Sequence, residues 1–333
     1  MMAMQDDHSQ KEGAMIQPAI RAEGLVKTYP GEVHALDGLS FAVAPGTVFG
    51  LLGPNGAGKS TTVKVLTTLA RADAGQASVA GRDVQGDPRG VREAIGVVSQ
   101  TSGVDVFLTG RENLRLQGQL YGMRGRGLER RVDELLGQLR LTDAADRVVQ
   151  TYSGGMQRRL DVGLGLVHRP QVLFLDEPTT GLDPEVRAEM WHEIARLREQ
   201  EGLTILLTTH YLEEADRLAS ALAIVDRGRI VAGGSPEALK AELDGDAVRV
   251  ELRDGGHNGD VHAALERVEG VGEVVVEGQA VHARVGDGAR AVPAVLQALD
   301  QHAIGVASVT VARPSLDDVY LRYTGRSFSE ADA

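Results

Sequence analysis

Gly53-Pro54-Asn55-Gly56-Ala57-Gly58-Lys59-Ser60-Thr61 follows the apolar run Val48-Phe49-Gly50-Leu51-Leu52 and leads into a helical pattern. Without Cβ atoms at Gly53, Gly56 and Gly58, the backbone can turn tightly and aim several N–H groups at one anion. The N-terminus of the following helix favours the same anion. Lys59 then offers a cation to the β- and γ-phosphates of a nucleotide, and Ser60 a hydroxyl to Mg²⁺. A glycine-rich turn alone is an ordinary loop. The complete G-x-x-x-x-G-K-S spacing between a strand-like and a helix-like run reads as a phosphate cradle in an α/β fold.

The chain has 333 residues, enough for two domains or one large one with an appendage. Acidic residues number 47 and basic ones 35, a net charge of −12. A nucleic-acid backbone or an anionic lipid surface is repelled on average, so neither is expected as a direct partner. The absence of cysteine excludes disulfides, Cys-ligated zinc and thiol catalysis, and suits a reducing cytosol. Met1 to Gln17 is polar and acidic, without the pattern of a signal peptide. No apolar run approaches the roughly 18 residues needed to span a bilayer, so work at a membrane requires a partner that holds the chain there.

Residues 1–18 carry too few apolar side chains to fold and read as a disordered tail. Ile20 to Val26, His34 to Val43 and Thr47 to Leu52 read as strands, with Tyr29 after the first, where its ring either packs or stacks on adenine. Ile95 to Gln100 reads as a buried strand ending in an amide that could reach the metal or the attacking water. From Gly110 to about Val149 the pattern is helical, and its basic run Arg124, Arg126, Arg130 and Arg131 reads as solvated surface. Tyr152-Ser153-Gly154-Gly155 opens another helix, with Ser153 as its N-cap and the glycines exposing N–H groups to a second anion.

Val172-Leu173-Phe174-Leu175-Asp176-Glu177 is an apolar strand ending in two acids. Strand alternation predicts that they point apart, Asp176 to Mg²⁺ beside Ser60 and Glu177 to a water aligned on the γ-phosphate. Asp183 reads as a cap or a site residue. His210, closing the strand Leu203 to Thr209, can reach a γ-phosphate oxygen. From Gly245 the pattern changes to β-α-β-β-α-β, which suits a small ferredoxin-like domain at 246–325, and 326–333 reads as a loose tail.

Tyr29, Gly53 to Thr61, Gln100, Ser153 to Gly155, Asp176-Glu177, Asp183 and His210, in this order, resemble the ATP-binding cassette of ABC transporters over residues 19–243. Thr109-Gly110-Arg111-Glu112-Asn113-Leu114, Tyr121-Gly122 and Pro314 to Leu321 look like the daunorubicin-resistance type of ATP-binding subunit. The resemblance implies a P-loop NTPase with an antiparallel β-subdomain and an α-helical subdomain at about 101–168. It implies a head-to-tail dimer with two ATP molecules at its seam, on the cytoplasmic face of the cell membrane and bound to a separate permease. In it Tyr29 stacks on adenine and Lys59, Ser60 and Thr61 hold phosphates and Mg²⁺. Gln100 links the site to the permease, and Ser153 and Gly155 meet the γ-phosphate held by the other copy. Asp183 and His210 couple and sense hydrolysis. Tyr152 stands where leucine is usual, and Met156 where glutamine is usual.

The function expected is ATP-driven export of a small hydrophobic compound. A soluble cassette ATPase acting on DNA or ribosomes is the alternative; it usually carries two cassettes or a long coiled-coil insertion, and neither is found here. A drug-sequestering protein is a third class, disfavoured by an aromatic content of only 4%.

Overall fold

The computed structural model describes residues 17–243, 245–253 and 258–328. The tail expected at 1–18 therefore lies outside the described residues except for Gln17 and Pro18. The first strands, β1 (Ile20–Tyr29) and β2 (Val33–Val43), pair antiparallel, and β3 (Val48–Leu52) runs into the phosphate loop and α1 (Lys59–Leu66). Next come β4 (Ala74–Val79), β5 (Arg82–Asp83), α2 (Pro88–Ala94) and β6 (Ile95–Val98). Three helices follow: α3 (Gly110–Leu120), α4 (Gly125–Gln138) and α5 (Gly154–Leu166). Then β7 (Val172–Asp176), α6 (Pro184–Glu201), β8 (Thr204–Thr209), α7 (Leu212–Leu218), β9 (Ala221–Asp226), β10 (Arg229–Gly234) and α8 (Pro236–Ala241) complete the large unit.

Two sheets build that unit: β2-β1-β4-β5, all antiparallel, and β10-β9-β3-β8-β7-β6, parallel except for β10. The central strands β3 and β7 are near-continuous apolar runs and β8 is buried throughout, because both faces are covered, as parallel pairing with helical crossovers requires. One core joins the sheet to the helical insertion through Leu114, Leu128, Val132, Leu135, Leu160 and Leu173. Gly96 and Gly165 permit this junction. A Cβ on Gly96 would lie 2.1 Å from the Gly165 carbonyl, so β6 and α5 meet backbone to backbone.

The basic run of the insertion divides. Arg124, Arg126 and Arg130 are exposed as expected, but Arg131 is buried, contrary to the surface reading. Its guanidinium donates to the Leu166 and Val167 carbonyls and to Glu201, which satisfies the charge inside the core.

The smaller unit contains β11 (Asp246–Leu252), α9 (Asn258–Leu265), β12 (Val271–Glu277), β13 (Ala280–Val285), α10 (Gly288–Gln301) and β14 (Val306–Ala312), in the order β-α-β-β-α-β. Its antiparallel sheet runs β12-β13-β11-β14, and Val248, Val250, Val281 and Val285 pack with Val261, Leu265, Val295 and Leu299 of the helices. A last helix, α11 (Leu316–Thr324), starts with a capping box between Ser315 and Asp318 and packs Leu316, Val319 and Tyr320 into the large unit. The loose tail read from residue 326 does not hold for residues 326–328. Phe328 is buried edge-on against Tyr320, and Arg326 pairs with Asp226, so an apolar anchor and an ion pair order these residues. Residues 329–333 lie outside the described residues.

The junction at β6 and α5 is testable. Gly96→Ala is expected to lower stability by about 2 kcal/mol or more through overpacking against backbone. Gly127→Ala, in a helix with open space around it, should raise stability by about 0.5–1 kcal/mol. Urea midpoints of the two variants check both signs.

Candidate functional site

Parallel pairing brings the C-terminal ends of β3, β7 and β8 to one sheet edge, where a loop can present groups to a ligand. At the end of β3 the backbone of the phosphate loop is tightly confined. A Cβ on Gly53 would lie 2.3 Å from the Val225 carbonyl. Gly58 has φ 112°, and a Cβ there would meet the Ala35 carbonyl at 2.5 Å. Both glycines are thus required by close backbone approach, the second also by its left-handed conformation. Lys59, the first residue of α1, is buried, and its ammonium donates to the carbonyls of Gly53 (2.6 Å) and Pro54 (3.0 Å) and lies 3.5 Å from Glu177 Oε1.

Ser60 and Asp176 meet across the site, the hydroxyl donating to Oδ1 at 3.2 Å. Thr208 on β8 donates to the same oxygen at 2.6 Å and accepts the N–H of Glu177 at 3.0 Å. These are hard oxygen donors. Among the described residues no group of three or more His, Cys, Asp or Glu side chains is poised to hold a metal. The pair therefore fits Mg²⁺, which takes one or two protein oxygens and completes its shell with phosphate and water, and not a dedicated protein cage.

The two acids do face different partners, but strand alternation is not the reason. The strand ends at Asp176, and Glu177 sits beyond it with φ 48°, a left-handed turn. That strained turn aims the Glu177 carboxylate at Lys59, at Thr180 (3.2 Å) and at Nδ1 of His210 (3.3 Å from Oε2). His210 also tilts against the Tyr211 ring at 4.1 Å.

The other expected residues lie further out. Gln100 is exposed, two positions past the end of β6, and its side chain is not joined to Ser60 or Asp176 by a hydrogen bond. Tyr29 is half-buried at the end of β1, with the Lys27 ammonium 5.6 Å from its ring centroid. Pro54 is buried, and Asn55 and Gly56 form the exposed crest of the loop. Ala57 is buried below it, and Thr61 is half-buried in the first turn of α1. Asp183 caps α6 by accepting the Val186 N–H at 3.0 Å, and Ser153 caps α5 by accepting that of Met156 at 3.3 Å. Asp183, Ser153 and Gly154 are exposed. Gly155 is buried, with Val186 filling the space where a Cβ would go.

Two residues of the site were not read from the sequence. Thr208 was a strand residue like any other, although its place two before His210 on the same edge could have drawn notice. Arg158, on α5, is buried and ties three segments together by donating to the carbonyls of Ser99 (2.8 Å), Pro178 (2.6 Å) and Glu177 (3.4 Å). Burial pulls its guanidinium below the ordinary value, against the nearby Asp161, Asp176 and Glu214 charges. Glu214 is fully buried and accepts from Thr179 and Trp191 at 2.8 Å each, and burial raises its carboxyl above the usual range.

Thr208→Val keeps the shape of the strand but removes the group that orients Asp176 and Glu177. The Mg²⁺ concentration for half-maximal ATP hydrolysis is expected to rise about tenfold or more, with the thermal midpoint little changed. A magnesium titration of phosphate release checks it.

Comparison with known proteins agrees with this geometry. A family model described as ABC transporter matches residues 36–180, and one described as the C-terminal domain of DrrA1-3-like ATP-binding proteins matches 234–324. The daunorubicin resistance ATP-binding protein DrrA2 of Streptomyces coeruleorubidus is 48% identical over 316 residues, 95% of this chain and 98% of its own. The Nod factor export ATP-binding protein I of Paraburkholderia xenovorans is 41% identical over 327 residues, covering 95% of this chain and all of its own (100%). Among solved structures, cbiO1 of Clostridium perfringens, part of the transporter complex cbiONQ, superposes with a TM-score of 0.63 at 26% identity, over 68% of this chain and 92% of its own. The chain thus belongs to the ATP-binding-cassette family of transporter ATPases, in its daunorubicin-resistance group.

Proposed function

We propose that two copies of this chain close head to tail on ATP, and that hydrolysis opens them and drives a separate membrane permease to export a small hydrophobic compound, an antibiotic or drug. The chain is the ATP-binding and ATP-hydrolysing subunit of an ABC-type drug exporter. The observation that carries the mechanism is the division of the site. Lys59, Ser60, Asp176, Glu177 and His210 are gathered at one sheet edge, while Ser153 and Gly154 stand exposed at a positive helix end, free to face another copy.

Each residue then has a task. Lys59 exchanges its loop carbonyls for phosphate oxygens, with the loop N–H groups around it. Ser60 and Asp176 would hold Mg²⁺, which would neutralise the charge developing on the phosphates. Glu177, turned out of the strand, polarises the attacking water, and His210 beside it contacts the γ-phosphate. Tyr29 stacks on the adenine. Ser153, Gly154 and Gly155 of the opposite copy bind the γ-phosphate, so its cleavage removes contacts that held the seam closed.

The permease is expected on the helical side. Phe107 and Leu120 are 78% and 75% exposed, and Leu120 and Tyr121 border a groove with Arg89, Arg92 and Glu93. Apolar surface rimmed by charge marks an interaction site, and the loop carrying Gln100 runs past Phe107 into α3, which ends at Leu120. Among the described residues no helix is long and apolar enough to cross a membrane, so this contact would hold the chain peripherally at the cytoplasmic face. The acidic net charge gives the nucleic-acid alternative no support.

Glu177→Gln is expected to keep ATP binding but lower turnover about a hundredfold or more and to accumulate an ATP-dependent dimer. Phosphate release and size-exclusion chromatography with ATP check both halves. Leu120→Glu is expected to leave the fold intact and abolish co-purification with the cognate permease, a protein of about six apolar helices. Unchanged recovery of the complex would move the docking site elsewhere.

A further inference from the structure

Tyr320 is fully buried where α11 meets the large unit, and its hydroxyl donates to Asp226 Oδ1 at 3.1 Å. Arg326, just past the helix, donates to the same oxygen at 2.8 Å. Burial, together with the Asp226 charge, raises the Tyr320 phenol above its ordinary value, so it remains a donor. Asp226 ends β9, the neighbour of β3, and the turn to β10 is built from Arg227 at φ 47° and Gly228 at φ 78°. A non-glycine residue in that conformation persists only where its surroundings hold it.

The phosphate loop lies on this turn. The N–H of Gly228 donates to the Ala57 carbonyl at 2.8 Å, and the Gly228 carbonyl accepts the Asp37 N–H at 2.9 Å. Gly53 abuts the Val225 carbonyl, and a Cβ on Gly58 would be 3.4 Å from Gly228 Cα. One side of the loop thus rests on Val225 and Gly228, which flank Asp226 and Arg227 in the turn. The Asp226 carboxylate is gripped from the C-terminal segment.

Resting on the reading of Gly53 to Thr61 as the ATP site, we propose that Tyr320, Arg326 and Asp226 are positioning residues for ATP. Together they make the C-terminal segment a clamp that holds the phosphate loop in its anion-binding shape. None of them touches the nucleotide. Asp226 fixes the turn, the turn fixes Ala57, and the loop N–H groups keep their common aim. Asp176, Glu177 and His210 stand on the other side of β3, at the ends of β7 and β8, so the effect falls on ATP affinity and not on the chemical step.

The test uses the full-length chain. Tyr320→Phe keeps the ring against Phe328 and removes only the hydroxyl. It is expected to raise the KM for ATP, and the Kd of a fluorescent ATP analogue, about three- to tenfold with kcat within about twofold. Asp226→Asn should act in the same direction, and the double variant should be no worse than the weaker single one. Tyr323→Phe is the control. It removes a hydroxyl from the same helix, bonded to Glu242 at 2.9 Å, and should leave KM unchanged. Wild-type KM in both Tyr320→Phe and Asp226→Asn would overturn the clamp, as would an equal rise in Tyr323→Phe, which would mark general loosening of α11. Lys59→Ala separates the clamp from its premise: lost ATP binding there upholds the site, and normal binding would overturn both readings.

Discussion

The register of three parallel strands is the constraint on which the site depends. Asp176 pairs with Thr208 across β7 and β8, and Leu52 pairs with Thr209 across β8 and β3. A slip of one residue would turn the apolar set of β7 or β8 to the opposite face. It would also part Asp176 from Thr208 and Ser60. The alternating, continuously buried side chains of β7 and β8 exclude that slip, since Leu173, Leu175, Ile205 and Leu207 fill one core while Phe174 and Leu206 fill the other. Core packing and the alignment of the Ser60, Asp176 and Thr208 oxygens are consequences of one pairing.

A second constraint concerns which parts can move apart. Arg158 donates from α5 to the backbone at Ser99, just before Gln100, and at Glu177 and Pro178, just after Asp176. One buried cation thus joins the helix that bears Ser153 to Gly155, the loop that leads to the exposed face at Phe107, and the turn that bears Glu177. Burying a guanidinium is tolerated only when its donors are satisfied. Rotation of α5 against the sheet would leave those donors unmet, so the three segments favour moving together. This link is the physical path by which the proposed coupling of hydrolysis with the helical face would act.

What was legible in the sequence, and what was not, follows from the range of the interactions. Gly53 to Thr61 is a local motif whose geometry is written in nine consecutive residues, and the apolar strand before Asp176 is equally self-contained. The element order of the C-terminal unit was readable from alternation for the same reason. Arg131 was misread because its partners, Glu201 and the carbonyls of Leu166 and Val167, come from other helices, and charge alone suggests solvent. Phe328 was misread because a short polar stretch conceals one aromatic anchor that meets Tyr320 only in three dimensions. Glu177 was assigned its direction through the wrong cause: nothing in the pair of acids says that the strand stops between them and turns left-handed.

The last helix shows how far one short element can be used. Leu316, Val319 and Tyr320 bury one face in the core of the large unit, while Asp317 and Asp318 on the other meet Arg249 of β11 at 3.3 and 3.2 Å. Burial opposes the ionisation of Asp318, yet Ser315 and Arg249 hold its carboxyl below the usual range, which keeps the ion pair charged. A helix committed on both faces is not a tether between independent bodies. It transmits position, since displacing it from either side leaves apolar area or a buried charge without its partner. The C-terminal unit is therefore fastened to the strand beside the phosphate loop by the same forces that hold each core together.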